Sequence, residues 1–228
     1  MGSLGEKVVL FGGENEANEF LNDTWTFKSQ WKQINPYSTN KPKPRTSSSM
    51  ASLENGQVLL YGGYNGNIVP KHFSDTWLYD DLTSKWIQID TSNTPSPTMR
   101  DRSAMASLGG GSILLFGGYN GAAHQYGSWI FNKNTKWTQL SISEALSPTA
   151  RDDHTMAKVG NKIVLFGGYD GATRLSMKTW LFDDSTKSWT KVTIPLFKAP
   201  NKRSQHAMAP LGRDSVILFG GDIGSNNK

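Results

Sequence analysis

The apolar residues of this chain fall into short runs that end the same way. Val8 to Phe11, Val58 to Tyr61, Ile113 to Phe116, Ile163 to Phe166 and Val216 to Phe219 each stop at a Gly-Gly pair. Runs of this length, continuously apolar and bounded by turn formers, predict strands covered on both faces. A polar loop follows each pair, then a short run holding one Trp, a tight turn, and a second Trp. The first Trp is Trp25, Trp77, Trp129 or Trp180; the second is Trp31, Trp86, Trp137 or Trp189. Upstream of each apolar run an Arg precedes a Met by five residues, at Arg45/Met50, Arg100/Met105, Arg151/Met156 and Arg203/Met208. In the third unit the pattern predicts strand A over 103–108, strand B over 112–116, strand C over 128–131 and strand D over 136–140.

The aromatic-Gly-Gly triplets are spaced 50, 55, 50 and 53 residues apart. Independent markers sharing one period mean a repeat array of four-stranded units. The units span about 1–44, 45–99, 100–150 and 151–202, with a partial fifth over 203–228, in one all-β domain. Met1-Gly2-Ser3-Leu4 matches Met50-Ala51-Ser52-Leu53, so the first unit lacks the Arg segment. Two readings follow: a piece of a longer ring, or a small ring closed by the C-terminal strands. An open arc would leave strand edges free for self-association.

Loop length differs between the two ends of the units. The A–B and C–D connections are short. The B–C loops (14–22, 64–74, 119–127, 169–178) and the Pro-bearing D–A loops (35–44, 90–99, 141–150, 194–202) are longer and vary. In an up-and-down unit these two loop sets share a face. Variable loops on a rigid scaffold are where binding residues usually sit, so partner binding is expected there.

These Gly-Gly pairs, Trp pairs and the Arg-Asp-Asp-His-Thr-Met segment (Arg151 to Met156) with its copies resemble the kelch family of β-propellers. The resemblance implies blades of four antiparallel strands, here about four blades and a partial fifth, with the ring left incomplete on the first reading. It also implies a protein-interaction scaffold or adaptor, with no cofactor. In some kelch adaptors, arginines at the place of Arg45, Arg100, Arg151 and Arg203 bind acidic peptides, and an Arg fork suits a carboxylate. The competing expectation is that each Arg orders its loop by pairing with a carboxylate such as Asp23, Asp75, Asp101 or Asp152. Tyr64, Tyr119, Tyr169, His72, His124 and Arg174 lie on B–C loops and complete the candidate partner-binding set. His154 and His206 share a repeat position with Ser48 and Ser103, which favours a structural role.

Enzymatic kelch relatives supply the alternative. The copper site of galactose oxidase needs a Cys-crosslinked Tyr, and this chain has no Cys. The Glu-xxx-Asp-xxx-His iron pattern of plant specifier proteins is absent too. A sugar mutarotase would need Arg, Glu and His converging on the axis. No phosphate-cradling Gly motif, GxSxG or HExxH occurs, so neither catalytic residues nor a metal site are expected. The charge of +5 over 228 residues is mild and scattered, apart from Lys41, Lys43 and Arg45. Nucleic-acid binding, which shows as a concentrated basic stripe, is not expected, nor is membrane insertion. The absence of Cys is compatible with a reducing compartment, and the expectation is cytoplasmic.

Overall fold

The computed structural model describes residues 1–35, 37–171 and 178–224. Its strands follow the apolar runs. The first blade is β1 (Gly2–Leu4), β2 (Lys7–Glu14), β3 (Phe20–Phe27) and β4 (Trp31–Gln33). The second is β5 (Ser49–Glu54), β6 (Gln57–Tyr61), β7 (Thr76–Asp80) and β8 (Lys85–Ile89). The third is β9 (Ala104–Gly109), β10 (Ser112–Phe116), β11 (Ser128–Asn132) and β12 (Lys136–Gln139). The fourth is β13 (Thr155–Val159), β14 (Lys162–Phe166), β15 (Thr179–Asp183) and β16 (Ser188–Val192). A two-stranded sheet, β17 (Ala207–Leu211) and β18 (Ser215–Phe219), follows. Every sheet is an antiparallel meander in chain order, and the first strands adjoin in series, β1 to β5 to β9 to β13 to β17. Strand A of the third unit starts and ends one residue later than its sequence suggests, and at its end the bulge between Ser112 and Ile113 draws Gly109 into the ladder.

The B strands fill the core. Leu59, Leu60, Leu114, Leu115 and Leu165 have no exposed surface. The Trp pairs then lock adjacent blades. Trp86 packs edge-on against Phe11 of the preceding blade, with ring centroids 5.1 Å apart, and its indole N–H donates to Thr24 at 2.9 Å. Trp137 repeats this on Tyr61 and Thr76, and Trp189 on Phe116 and Ser128. At the two ends of the row the same surfaces are bare: Trp31 is 51% and Phe219 79% exposed.

The Gly-Gly pairs form the second joint between blades. The first Gly of each takes φ between 60° and 70° at Gly12, Gly62, Gly117 and Gly167. A Cβ there would lie 2.6 Å from the Arg45 carbonyl oxygen at Gly12 and 2.5 Å from that of Arg203 at Gly167, and closer still to Arg100 and Arg151 oxygens at Gly62 and Gly117. The second Gly donates its N–H to the same carbonyl, at 2.8–2.9 Å in all four cases. Only Gly fits a left-handed turn this close to a neighbouring backbone.

Candidate partner-binding site

The B–C and D–A loops meet on one face through short backbone bridges. Thr46 pairs with Tyr64 and Tyr64 with His72; Asp101 pairs with Tyr119 and Tyr119 with His124; Asp152 pairs with Tyr169. These bridges place the candidate aromatics. Each His then leans on the next blade, His72 Nε2 lying 3.5 Å from Asp101 Oδ1 and His124 Nδ1 3.5 Å from Asp152 Oδ1. The tyrosine rings stack between them, with centroids 5.1 Å apart for Tyr64–His72, 6.2 Å for His72–Tyr119 and 5.6 Å for His124–Tyr169. The candidates on these loops thus come together as a blade-to-blade row. Arg174 lies outside the described residues.

The arginines correct the expectation placed on them. Arg45 and Arg151 have no exposed surface and Arg100 only 2%. Their guanidiniums point inward, not towards a partner. Arg45 binds both oxygens of Asp75, at 2.5 and 2.8 Å, and the Gly62 carbonyl at 2.9 Å. Arg100 and Arg151 make the matching bonds to the Gly117 and Gly167 carbonyls, and to the carbonyl and hydroxyl of Thr98 and Thr149, with no ion pair among the described residues. Burial lowers the pKa of both, Arg151 to about 10. Arg203 repeats the pattern on Asn201 and Gly220 in a more open setting. The physical reason is the joint: a buried fork that ties down free carbonyls holds the turn whose own carbonyl receives the Gly-Gly pair. Asp101 and Asp152, named as possible partners of these arginines, take Arg102 instead.

Arg102 is the residue that the repeat pattern hid. It binds Asp101 at 3.1 Å and Asp152 at 3.2 Å, approaches Asp153 at 3.8 Å, and covers the Tyr119 ring. Ser47, Arg102, Asp153 and Gln205 occupy one repeat position, all at positive φ, and each after Ser47 donates its N–H to the carbonyl of the one before, at 2.9–3.1 Å. Their common distance from each Arg was the available signal. The small pocket at this place, about 240 Å³, is lined by Arg102, Asp153, His154 and His206, among others. Burial holds both imidazoles neutral, His206 near pKa 4, and raises the buried Asp152 to about 6.

A cavity of about 710 Å³ lies further out between the 64–74 and 90–99 loops. Its walls include Val69, Pro70, Phe73, Pro97 and Met99, with Lys43 at its edge. Val69 is 92% exposed. Asp75 faces the cavity with its charge taken up by Arg45. Lys43 forms no ion pair among the described residues. The groove therefore joins apolar walls to unpaired positive charge. Periodicity gave no hint of Val69 and Met99, which belong to loops that differ from unit to unit. Among the described residues no helix is long and apolar enough to cross a membrane, and no cluster of His, Asp or Glu could hold a metal ion.

Comparison with known proteins agrees with this geometry. The chain matches the KLHDC2/KLHL20/DRC7 Kelch-repeats domain over residues 1–144 and 95–228. It is 30% identical to the dynein alpha chain of the flagellar outer arm of Chlamydomonas reinhardtii, over 67% of this chain and 4% of that protein. It is 28% identical to human Kelch domain-containing protein 1, over 77% of this chain and 48% of that protein. It is 26% identical to an N-(sulfonatooxy)prop-2-enimidothioate sulfolyase of Thlaspi arvense, over 98% of this chain and 54% of that enzyme. The chain spans about half or less of the length of these relatives. Its repeats, their blade geometry and the match along both halves make it a member of the kelch-repeat family.

Proposed function

We propose that this chain is a protein-interaction module, the binding surface of a cytoplasmic adaptor, and that it binds rather than catalyses. One observation carries the proposal: a cavity of about 710 Å³ lies between variable loops on the B–C and D–A face, with apolar walls and Lys43, unpaired among the described residues, at its edge. A peptide with an apolar residue beside carboxylates would fill it. Kelch domains usually bind proteins, which is the family-level support. The test compares Val69→Asp/Met99→Asp with Leu82→Asp, an exposed site in the Asp80–Lys85 turn at the other end of the blade. Quantitative capture from the source cells should lose its partners at least fivefold with the first variant and keep them with the second. Equal loss, or none, would overturn the proposal.

A second reading, chemistry on a sugar or other small molecule, has one observation in its favour: Arg102, Asp153, His154 and His206 share the small inner pocket. A sulfolyase among the relatives is compatible with it. Polarimetry of aldose mutarotation is the direct check. A rate above buffer that disappears in His206→Ser would favour this reading.

A further inference from the structure

The first strands of adjoining blades are tied by side chains at two successive repeat positions. One position is Ser48, Ser103, His154 and His206; the next is Ser49, Ala104, Thr155 and Ala207. A hydroxyl at the second position reaches the first position of the following blade. Ser49 Oγ lies 2.6 Å from Ser103 Oγ and donates to the Ser103 carbonyl at 2.7 Å. Thr155 Oγ1 lies 2.7 Å from His206 Nε2. Between these two ties the same step runs from Ala104 to His154, and Ala104 offers no hydroxyl.

His154 is nevertheless held as His206 is. Each ring meets the Phe before a Gly-Gly pair edge-on, Phe116 or Phe166, with centroids 5.6 Å apart. A Cβ built on Gly117 would lie 2.6 Å from His154 Cε1, and one built on Gly167 2.7 Å from His206 Cε1. His154 Nε2 is thereby left where His206 Nε2 finds Thr155, and it has no hydrogen-bond partner among the described residues. The side chain is buried, and a buried polar atom without a partner is costly. Burial keeps the imidazole neutral, so Nε2 can accept from a hydroxyl. Ala104 and His154 both line a cavity of about 640 Å³ along the first strands, within the size range of small-molecule sites. Met50, Met105, Met156 and Met208 line it too, and no Asp, Glu, Lys or Arg does among the described residues. The hydroxyls of Ser49, Ser103 and Thr155 on its wall are already engaged. One buried polar atom is left open, among side chains that carry no charge.

We propose that this cavity binds an uncharged small molecule with a single hydroxyl on an apolar body, a phenol in the simplest case. The hydroxyl donates to His154 Nε2, in the place that Thr155 Oγ1 takes on His206, and the ring lies against the methionines. Thioether–aromatic contact suits those walls. A polyol such as a sugar would bring hydroxyls that the walls leave unmatched. The site does not rest on the protein-interaction reading.

The test is titration with 4-fluorophenol, followed by ¹⁹F NMR and by the imidazole nitrogens of the ¹⁵N-His-labelled protein. The His154 Nε2 resonance, identified by its loss in His154→Ser, should shift and saturate, while that of His206 stays. Ala104→Ser supplies a hydroxyl where Ser49 and Thr155 have theirs. It should keep or raise the urea-melt midpoint and weaken 4-fluorophenol about fivefold to tenfold, the contribution of one hydrogen bond. Fluorobenzene, which has no hydroxyl, should bind the unaltered protein more weakly than 4-fluorophenol by about the same factor. No saturation at His154 would leave only an ordered water at Nε2 and overturn the proposal. Equal affinity for the two fluoroarenes would overturn it too, as would equal affinity in a well-folded Ala104→Ser. If Ala104→Ser melts early, the fluorobenzene comparison on unaltered protein decides alone. Glucose moving the His154 resonance at lower concentration than 4-fluorophenol would overturn the single-hydroxyl ligand in favour of a polyol.

Discussion

At the scale of single residues, two positions concentrate the physics. Gly62 takes φ 67° under the Arg100 carbonyl, and its neighbour Gly63 donates to that oxygen at 2.9 Å. Gly62→Ala adds left-handed strain and a backbone clash at once, and should cost at least about 2 kcal/mol in a urea melt. A cost below about 0.5 kcal/mol would mean that the joint yields easily. His206 is the second. Burial, then the Arg203 charge, lowers its pKa to about 4 from an unfolded value near 6.5. Its contribution is present above pH 6.5 and is lost as pH falls towards 4, because the unfolded chain takes the proton first. The loss is at most about 3.4 kcal/mol. Asp152, raised to about 6, works in the opposite direction over an overlapping window. Replacing His206 by Ser, the residue at Ser48 and Ser103, should therefore flatten the fall in stability between pH 7 and 4.5, measured by urea melts at both pH values. The shared repeat position of His154 and His206 was readable as structural from the sequence. The buried state of Arg45, Arg100 and Arg151 was not, because an Arg next to a loop carries no mark of which way it points.

At the scale of strands and blades, the Trp that closes each unit is half of a two-blade contact. Trp137 is 2% exposed and bonds Thr76 of the preceding blade. Trp31, in the same repeat position, is 51% exposed. Trp137→Ala should cost about 3–5 kcal/mol, Thr76→Val about 1–2 kcal/mol for the orphaned indole N–H, and Trp31→Ala under about 1 kcal/mol. Equal costs for Trp137 and Trp31 in denaturant melts would refute the assignment. The strands of the third unit were legible to within a residue because continuous apolar runs between Gly and Asp or Asn turns have few other structures open to them. The acceptors Thr24, Thr76 and Ser128 were not legible. They sit beside the first Trp of one unit and serve the second Trp of the next, a relation that periodicity within a unit does not express.

At the scale of the whole molecule, the short connections lie at one end of the blades and the variable loops at the other. That division was readable from loop length alone. The groove was not, because Val69, Phe73 and Met99 meet across two loops of unequal length, and no spacing rule joins them. The long-range links run mostly between neighbouring units: Trp to hydroxyl, Gly-Gly to Arg carbonyl, His to Asp. Native-state hydrogen exchange should therefore be graded, slowest in β6 and β10, which neighbours cover on both sides, and fastest in β18. A single uniform opening free energy across all blades would contradict this.

The Gly-Gly joint has a consequence for how such a chain tolerates change. The carbonyl that each pair grips belongs to the following unit, so no unit owns its complete fastening. Deleting a segment from one Arg to the residue before the next Arg would bring an equivalent Arg back over the upstream Gly-Gly pair and restore the joint. A deletion of the same length begun between a Gly-Gly pair and its Trp would graft together B–C loops of different lengths instead. The phase of the cut, more than the number of residues removed, should decide whether a shortened chain still folds.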